Sequence, residues 1–278
     1  MTIATSIVDA EIDRLQYQAT VWEAEADVML DHIGVGSGWS CIDIGCGPAG
    51  ILEPLSRRVR PNGRVIGLDI DDRILTAARR YMTGRELSNV ELASGDAHEP
   101  RMLGDTFDLV HERFVLPLVD SPEALLGTMC RLANVGGIIA VQELDLDATA
   151  FRPPKPAWAR LKDVIERTFS LRGDIKVGQR VHGMLHRAGL RDVTIRSVAR
   201  SFDGRHPYAR WPINGVNTMR RDIVDAGIAT AADLDELRTR FDACLSNDES
   251  YEISFTLMQG WGRKPAPNGG RSVIGHAP

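Results

Sequence analysis

Asp43-Ile44-Gly45-Cys46-Gly47-Pro48-Ala49-Gly50 is the stretch that decides the fold. Upstream, Ser40-Cys41-Ile42-Asp43-Ile44 is a short apolar run ending at glycine, as a buried parallel strand does. Downstream, Ile51, Leu52, Leu55 and Val59 recur at helical spacing. The glycines therefore occupy a strand-to-helix turn. At such a turn the first helical amides point outward without partners and the helix dipole adds partial positive charge. Missing side chains let a ligand approach the backbone closely. Nineteen residues after Gly50, a second strand, Val65-Ile66-Gly67-Leu68-Asp69, ends in a carboxylate. The neighbouring strand of a doubly wound sheet places such an acid beside a ribose, whose two hydroxyls it can accept from.

Two cofactor classes use this geometry. Dinucleotide-binding dehydrogenases carry an apolar residue two positions before the first glycine, because that side chain is buried under the sheet; here the position is Asp43. A buried acid needs a polar or cationic partner. S-adenosylmethionine (SAM), with its ammonium and sulfonium charges, supplies one. None of Tyr17, Tyr81, Tyr208 or Tyr251 is followed by lysine at the Tyr-x-x-x-Lys spacing of short-chain dehydrogenases. An NAD(P)-dependent oxidoreductase stays as the alternative, as does a catalytically inactive SAM-binding or sensing protein, because fold alone does not fix chemistry.

Over about residues 36 to 146 the chain resembles the class I SAM-dependent methyltransferases, in the small-molecule branch with the ubiquinone and menaquinone biosynthesis enzymes. The resemblance implies that Asp43, Gly45, Gly47 and Gly50 cradle the methionine part of SAM, that Asp69 binds the ribose and that Ile70 packs on the adenine. Gly95-Asp96-Ala97, after Val90-Glu91-Leu92-Ala93, matches the family's adenine-edge motif. Asp96 then accepts from the exocyclic amine, and the Ala97 amide faces a ring nitrogen. Thr106-Phe107-Asp108-Leu109-Val110-His111-Glu112-Arg113 resembles the fourth strand, whose end borders the transferable methyl, so His111 falls near the cofactor. Ser121-Pro122-Glu123 is a capped helix start, with Leu125, Leu126, Met129 and Leu132 as its buried face. Asn134-Val135-Gly136-Gly137 ends that helix and feeds the strand Ile138 to Glu143, with valine where the family carries proline.

Composition fits an enzyme of this kind. With 278 residues and 43% hydrophobic content the chain can bury a large core. A net charge of -5 argues against a nucleic-acid surface. No basic-then-apolar leader opens the chain, and no apolar stretch nears the ~20 residues that span a bilayer. The expectation is a cytoplasmic protein acting on a small-molecule acceptor, without nucleic-acid or membrane partners and with a homodimer as the candidate assembly. Cys41, Cys46, Cys130 and Cys244 are too scattered for a zinc site or a disulfide framework.

Outside the core, Ile12, Leu15, Ala19, Trp22, Ala26, Met29, Leu30 and Ile33 fall at three- and four-residue steps, which predicts a long helix ending at Gly34. In related enzymes such a helix lies over the cofactor, which brings in Tyr17 as a cofactor contact and Trp22 as a packing anchor or substrate contact. Arg152-Pro153-Pro154-Lys155-Pro156 is a loop before a helix with Trp158, Leu161, Ile165 and Phe169; a second helix carries Val181, Met184 and Leu185. Val193, Ile195 and Ser197 predict the sixth strand, and Ile253, Phe255 and Leu257 the seventh. About fifty residues separate them, far more than a hairpin needs. That insertion reads as helical, with Ile223, Val224 and Ile228 as one apolar set and Leu234, Leu237, Phe241 and Leu245 as another.

The fold expected is therefore α/β: a doubly wound, seven-stranded, mostly parallel Rossmann-like sheet, with an N-terminal helix over 1–34 and a core over 35–204 and 250–262. A helical cap at 205–249 is inserted between the last two strands, and a disordered tail follows at 263–278. Inserted helices at the cofactor end of an open sheet cap the substrate pocket, which makes His206, Tyr208, Trp211 and Arg220 substrate candidates.

The chemistry implied is in-line transfer of a methyl group from SAM, leaving S-adenosylhomocysteine (SAH), to an oxygen, nitrogen or carbon of a small metabolite. Glu143, at the end of the fifth strand, His111 and His206 are the candidate bases. Glu143, Asp145 and Asp147 would share a face in an extended strand, yet no metal is expected, because His111-Glu112-Arg113 stands where metal-using relatives place an acid.

Overall fold

The computed structural model describes residues 3–99, 106–171 and 173–266, so the tail expected at 263–278 lies outside them from 267 onward. Along the chain the strands are β1 (Ser40–Ile44), β2 (Arg64–Asp69), β3 (Val90–Ser94), β4 (Phe107–Arg113), β5 (Ala133–Asp145), β6 (Ala150–Arg152), β7 (Arg191–Val198), β8 (Ser201–Asp203), β9 (Tyr251–Ile253) and β10 (Thr256–Arg263). The helices are α1 (Ile3–Ile33), α2 (Leu52–Val59), α3 (Asp72–Gly84), α4 (Pro122–Leu132), α5 (Pro156–Phe169), α6 (Val181–Arg187), α7 (Trp211–Thr218), α8 (Arg220–Asp225) and α9 (Ala231–Leu245).

Seven strands form one sheet in the order β3-β2-β1-β4-β5-β10-β7. β1, β2, β3, β4 and β5 pair in parallel, and β10 runs antiparallel to both β5 and β7. This is the doubly wound, mostly parallel sheet the glycine turn predicts. The strand order reverses between β1 and β4, and the crevice beyond the strand ends at such a switch point is where open α/β sheets bind ligands.

α1 joins the core to the cap. Ala26, Met29 and Leu30 pack with Leu52, Leu55 and Val59, whereas Trp22 belongs to the cap's apolar cluster. The helix stops at Gly34, whose φ of +79° lets the Gly34 and Val35 amides donate back to the Leu30 carbonyl. Arg57 and Arg58 of α2 hold its outer face through Glu23, Asp27 and Asp31.

The cap lies between β8 and β9, as expected, and its α7, α8 and α9 pack on α5. The buried face of α9 is Leu234, Leu237, Phe241 and Leu245. Three differences from the sequence reading have local causes. The last strand begins at Thr256 rather than Ile253, because Tyr251–Ile253 pairs with Ala150–Arg152 and Ser201–Asp203 in a small sheet of order β6-β9-β8. Arg263 stays within β10, opposite Ile138, so the strand outlasts the predicted start of the tail. Asn134–Gly137 belongs to β5 rather than to a separate turn, since the Gly136 amide bonds the Lys264 carbonyl and the Lys264 amide returns to Gly137. No helix among the described residues is long and apolar enough to cross a membrane.

Candidate active site

Gly45, Gly47 and Gly50 all have positive φ, +64°, +60° and +50°. At Gly50 the requirement is steric as well, since a Cβ would collide with Asp43 Oδ2 and the Cys46 carbonyl. At Gly47 a Cβ would meet nothing within 4 Å, so the bare backbone there faces open space. The Gly47 amide donates to Asp69 Oδ2 at 2.9 Å, which ties the turn to the end of β2. Asp69 Oδ1 accepts from the Asp71 amide at 3.0 Å.

Asp43 is 1% exposed and starts a buried chain of hydrogen bonds. Its Oδ2 accepts from the Ile51 amide at 3.2 Å, and its Oδ1 lies 2.7 Å from His111 Nδ1. The far end of the chain sets its direction, because Arg196 can only donate. Arg196 donates to Gln259 Oε1, Gln259 Nε2 donates to Gln142 Oε1, and Gln142 Nε2 therefore faces His111 Nε2 as a donor. His111 Nε2 must accept, so the proton sits on Nδ1 and goes to Asp43. The imidazole is neutral, and Asp43 keeps its negative charge for whatever lies beyond the turn.

A second buried pair closes the next strand ends. Glu112 and Glu143 are both 0% exposed and their carboxyl groups interact with one another. Glu112 Oε2 accepts from the Val115 amide and Glu143 Oε1 from the Leu116 amide, each at 3.0 Å. Burial pushes Glu112 up to about 7. Burial and the neighbouring Glu112 push Glu143 well above the carboxylate range, so the pair shares a proton at neutral pH.

A cavity of about 670 Å³ opens over these strand ends. One part is walled by Asp43, Gly45, Gly47, Asp69, Ile70, Asp96 and Ala97; the other by Phe114, Leu144, Ile165, Phe169, Trp211 and Phe255. Arg14, Gln18 and Tyr208 also line it. Ile70 is 72% exposed at its rim, an unusual place for an isoleucine unless something covers it.

Most residues picked from the sequence for the cofactor thus share one wall, and Tyr208 and Trp211 share the cap side. Others lie elsewhere. His111 and Glu143 are sealed beneath the cavity floor, their polar atoms engaged by Asp43, Gln142, Glu112 and the Leu116 amide, so neither meets a ligand directly. Trp22 is 0% exposed and donates to the Tyr208 hydroxyl at 2.9 Å, acting behind the wall. Tyr17 packs near Tyr208, with ring centroids 6.3 Å apart, outside the cavity lining. His206 Nδ1 accepts from the Tyr208 amide, and Arg220 pairs with Asp235 and the Ala231 carbonyl, both away from the lining.

Arg113 is the wall residue that sequence reading passed over. Its Nη2 donates to the Gly50 carbonyl at 3.0 Å, and its buried Nη1 has no partner among the described residues. Its place at the end of β4, two residues past His111, was the available signal.

With this geometry in hand, comparison with known proteins is decisive. A family model described as a methyltransferase domain matches residues 36–189. The chain belongs to this methyltransferase family. Demethylmenaquinone methyltransferase of Shouchella clausii is 27% identical over 187 residues, 60% of this chain and 77% of that protein. Nocamycin O-methyltransferase of Saccharothrix syringae is 29% identical over 113 residues, 41% of this chain and 40% of that protein. The chain spans less than half the length of several curated relatives it matches. Among solved structures, the YcgJ protein of Bacillus subtilis superposes with a TM-score of 0.58 over 86% of this chain and 97% of that one; at 14% identity the likeness is one of fold.

The cofactor of this methyltransferase family is SAM, and the residues present fit it. The Gly47 backbone is bare toward the cavity, the Asp43 carboxylate lines it, and Arg113 holds a buried donor without a partner among the described residues. A zwitterionic amino-acid moiety offers an ammonium to the first charge and a carboxylate to the second.

Proposed function

We propose that the protein transfers a methyl group from SAM to a small molecule held beneath the helical cap. The observation that carries this reading is one cavity in which the glycine turn with Asp69 and Asp96 faces an apolar wall built by Phe114, Leu144, α5 and Phe255 and completed by Trp211 of the cap. Bound SAM supplies an electrophilic methyl on a sulfonium and leaves as SAH. Asp43 and Arg113 would hold the ammonium and carboxylate of its methionine part, Asp69 the ribose, and Ile70 with Asp96 and Ala97 the adenine. Glu112 and Glu143 act from below, holding the Val115 and Leu116 amides and so fixing the turn after β4. They are positioning residues. Phe114, Trp211 and Phe255, set edge to face at 5.5–5.7 Å, exclude water from the acceptor side.

Calorimetric titration of SAM, SAH and NADH in parallel tests the reading. Micromolar binding of SAM and SAH without NADH supports it, and NADH binding alone overturns it. Transfer of labelled methyl from SAM into an organic-extractable product then reports turnover.

A further inference from the structure

The acceptor side of the cavity lacks a free base. Among the described residues on the cavity wall the carboxylates are Glu11, Asp43, Asp69 and Asp96. Glu11 is committed to Arg14, Asp43 to His111 and the Ile51 amide, Asp69 to the Gly47 and Asp71 amides, and Asp96 to the His98 amide. His98, the imidazole on this wall, sits on the loop after the edge strand β3, away from the cap side. The cap-side acids and imidazoles lie off the wall: Glu143 is buried against Glu112, Glu252 is buried with one oxygen on the Trp211 indole at 2.6 Å, and His206 accepts from the Tyr208 amide.

What the apolar side does offer is a donor. Tyr208 is 4% exposed and its oxygen already accepts the Trp22 indole N–H, so its own hydroxyl hydrogen is left over, with no acceptor among the described residues. Burial pushes the phenol well above its ordinary ionisation, which keeps that hydrogen in place. A buried donor without an acceptor costs free energy that a bound acceptor atom recovers. The walls around it are aromatic and aliphatic. An ammonium ion can only donate and leaves the Tyr208 hydroxyl hydrogen unmatched, whereas an anionic oxygen accepts it, so such a site favours an apolar anion.

We propose that the acceptor is an apolar acid, ionised before it binds at an enol, an electron-poor phenol or a carboxyl group, with the Tyr208 hydroxyl donating to its anionic oxygen and no enzymic base taking a proton. This rests on the methyl-transfer reading above. The acceptor's lone pair forms the bond to the methyl carbon as the carbon–sulfur bond breaks and its electron pair returns to sulfur. The acceptor's negative charge and the sulfonium's positive charge cancel, and no proton has to leave.

The test is equilibrium binding to the full chain saturated with SAH. Four apolar bicyclic probes are titrated at neutral pH: 2-naphthoate and 4-hydroxycoumarin as anions, 2-methoxynaphthalene as the neutral reference, and 2-naphthylmethylammonium as the cation. The expected result is that both anions bind at least about tenfold tighter than the ammonium. Tyr208→Phe, which keeps the ring, should cut the anions' affinity about tenfold and leave 2-methoxynaphthalene unchanged. Binding of 2-naphthol should also require a higher pH than 4-hydroxycoumarin, each following its own ionisation. Equal or tighter ammonium binding, absence of binding by both anions, an anion preference that survives Tyr208→Phe, or one pH midpoint shared by both hydroxyl probes overturns the inference. The wild-type comparison stands even if the variant folds poorly. Failure to bind SAH would count against the methyl-transfer reading, whereas SAH binding without anion preference counts against this inference alone.

Discussion

Asp43→Asn is the substitution whose consequences follow most directly from the buried hydrogen-bond chain. The two side chains have the same shape, so packing is preserved and only charge and one acceptor change. In the wild type both carboxylate oxygens accept, one from His111 at 2.7 Å and one from the Ile51 amide at 3.2 Å. An asparagine can satisfy only one of these and must turn its NH2 toward the other donor. His111 cannot adapt by moving its proton to Nε2, because Gln142 donates there, held by Gln259 and finally by Arg196. The conflict therefore stays local. Loss of one charge-assisted hydrogen bond costs about 1.5–3 kcal/mol, and a buried donor without a partner about 1–3 kcal/mol. With partial relaxation we expect a loss of about 2–4 kcal/mol in urea unfolding. SAM, losing the charge opposite its ammonium, should bind about 10–100-fold more weakly by calorimetry. A variant with parental unfolding midpoint and parental SAM affinity would refute both the assigned direction of the chain and the role of Asp43.

Four further outcomes are expected. Because burial raises Glu112 from 4.5 to about 7 and Glu143 well above 4.5, the folded state holds protons in this window that the unfolded state releases; unfolding free energy should therefore fall as pH rises from 4.5 to 7, Glu112 alone contributing about 3 kcal/mol, and Glu143→Gln, which removes the second titrating group, should flatten that slope in urea melts. Trp211→Phe removes the hydrogen bond to Glu252 Oε1 while Glu252 Oε2 already lacks a partner, so stability should drop by about 1–3 kcal/mol, and Trp211→Phe combined with Glu252→Gln should be milder than the sum of the two. Gly50→Ala places a Cβ against Asp43 and the Cys46 carbonyl at φ +50°; it should lower the melting temperature and abolish measurable SAH binding, whereas Gly84→Ala, in open space at the end of α3, should do neither. Asp69→Ala frees the Gly47 and Asp71 amides and removes the ribose acceptor, so SAM affinity should fall by at least about tenfold; unchanged affinity would remove Asp69 from the site.

The parts of this fold that local chemistry controls were legible in the chain. The glycine turn, the acid at the end of β2, the Ser121 cap of α4, which accepts from the Ala124 amide, and the Gly34 stop of α1 each depend on a few neighbouring residues. So does the apolar face of α9. What depends on distant partners was not. Glu143 reads as a strand-end acid facing a ligand, and only the approach of Glu112 from the adjacent strand turns it into half of a buried pair. His111 reads as a candidate base until Gln142 and Asp43 occupy both of its nitrogens. Ile253, Phe255 and Leu257 alternate as a strand should, yet the period alone does not tell that Ile253 belongs to the small sheet and Leu257 to the large one. Tyr208 and Trp211 reach the cavity wall because the cap folds back, which no window of sequence records.

The small β6-β9-β8 sheet brings together three pieces of chain, Ala150–Arg152, Ser201–Asp203 and Tyr251–Ile253. The segment between β8 and β9 thus departs from and returns to adjacent strand positions, fastened by a ladder of its own beside the main sheet. A cassette mounted this way can lengthen, shorten or be exchanged while β5, β10 and β7 keep their register. Chimeras that swap residues 204–250 between relatives, joined at that ladder, should fold on an unaltered cofactor half and carry the donor's acceptor preference with them.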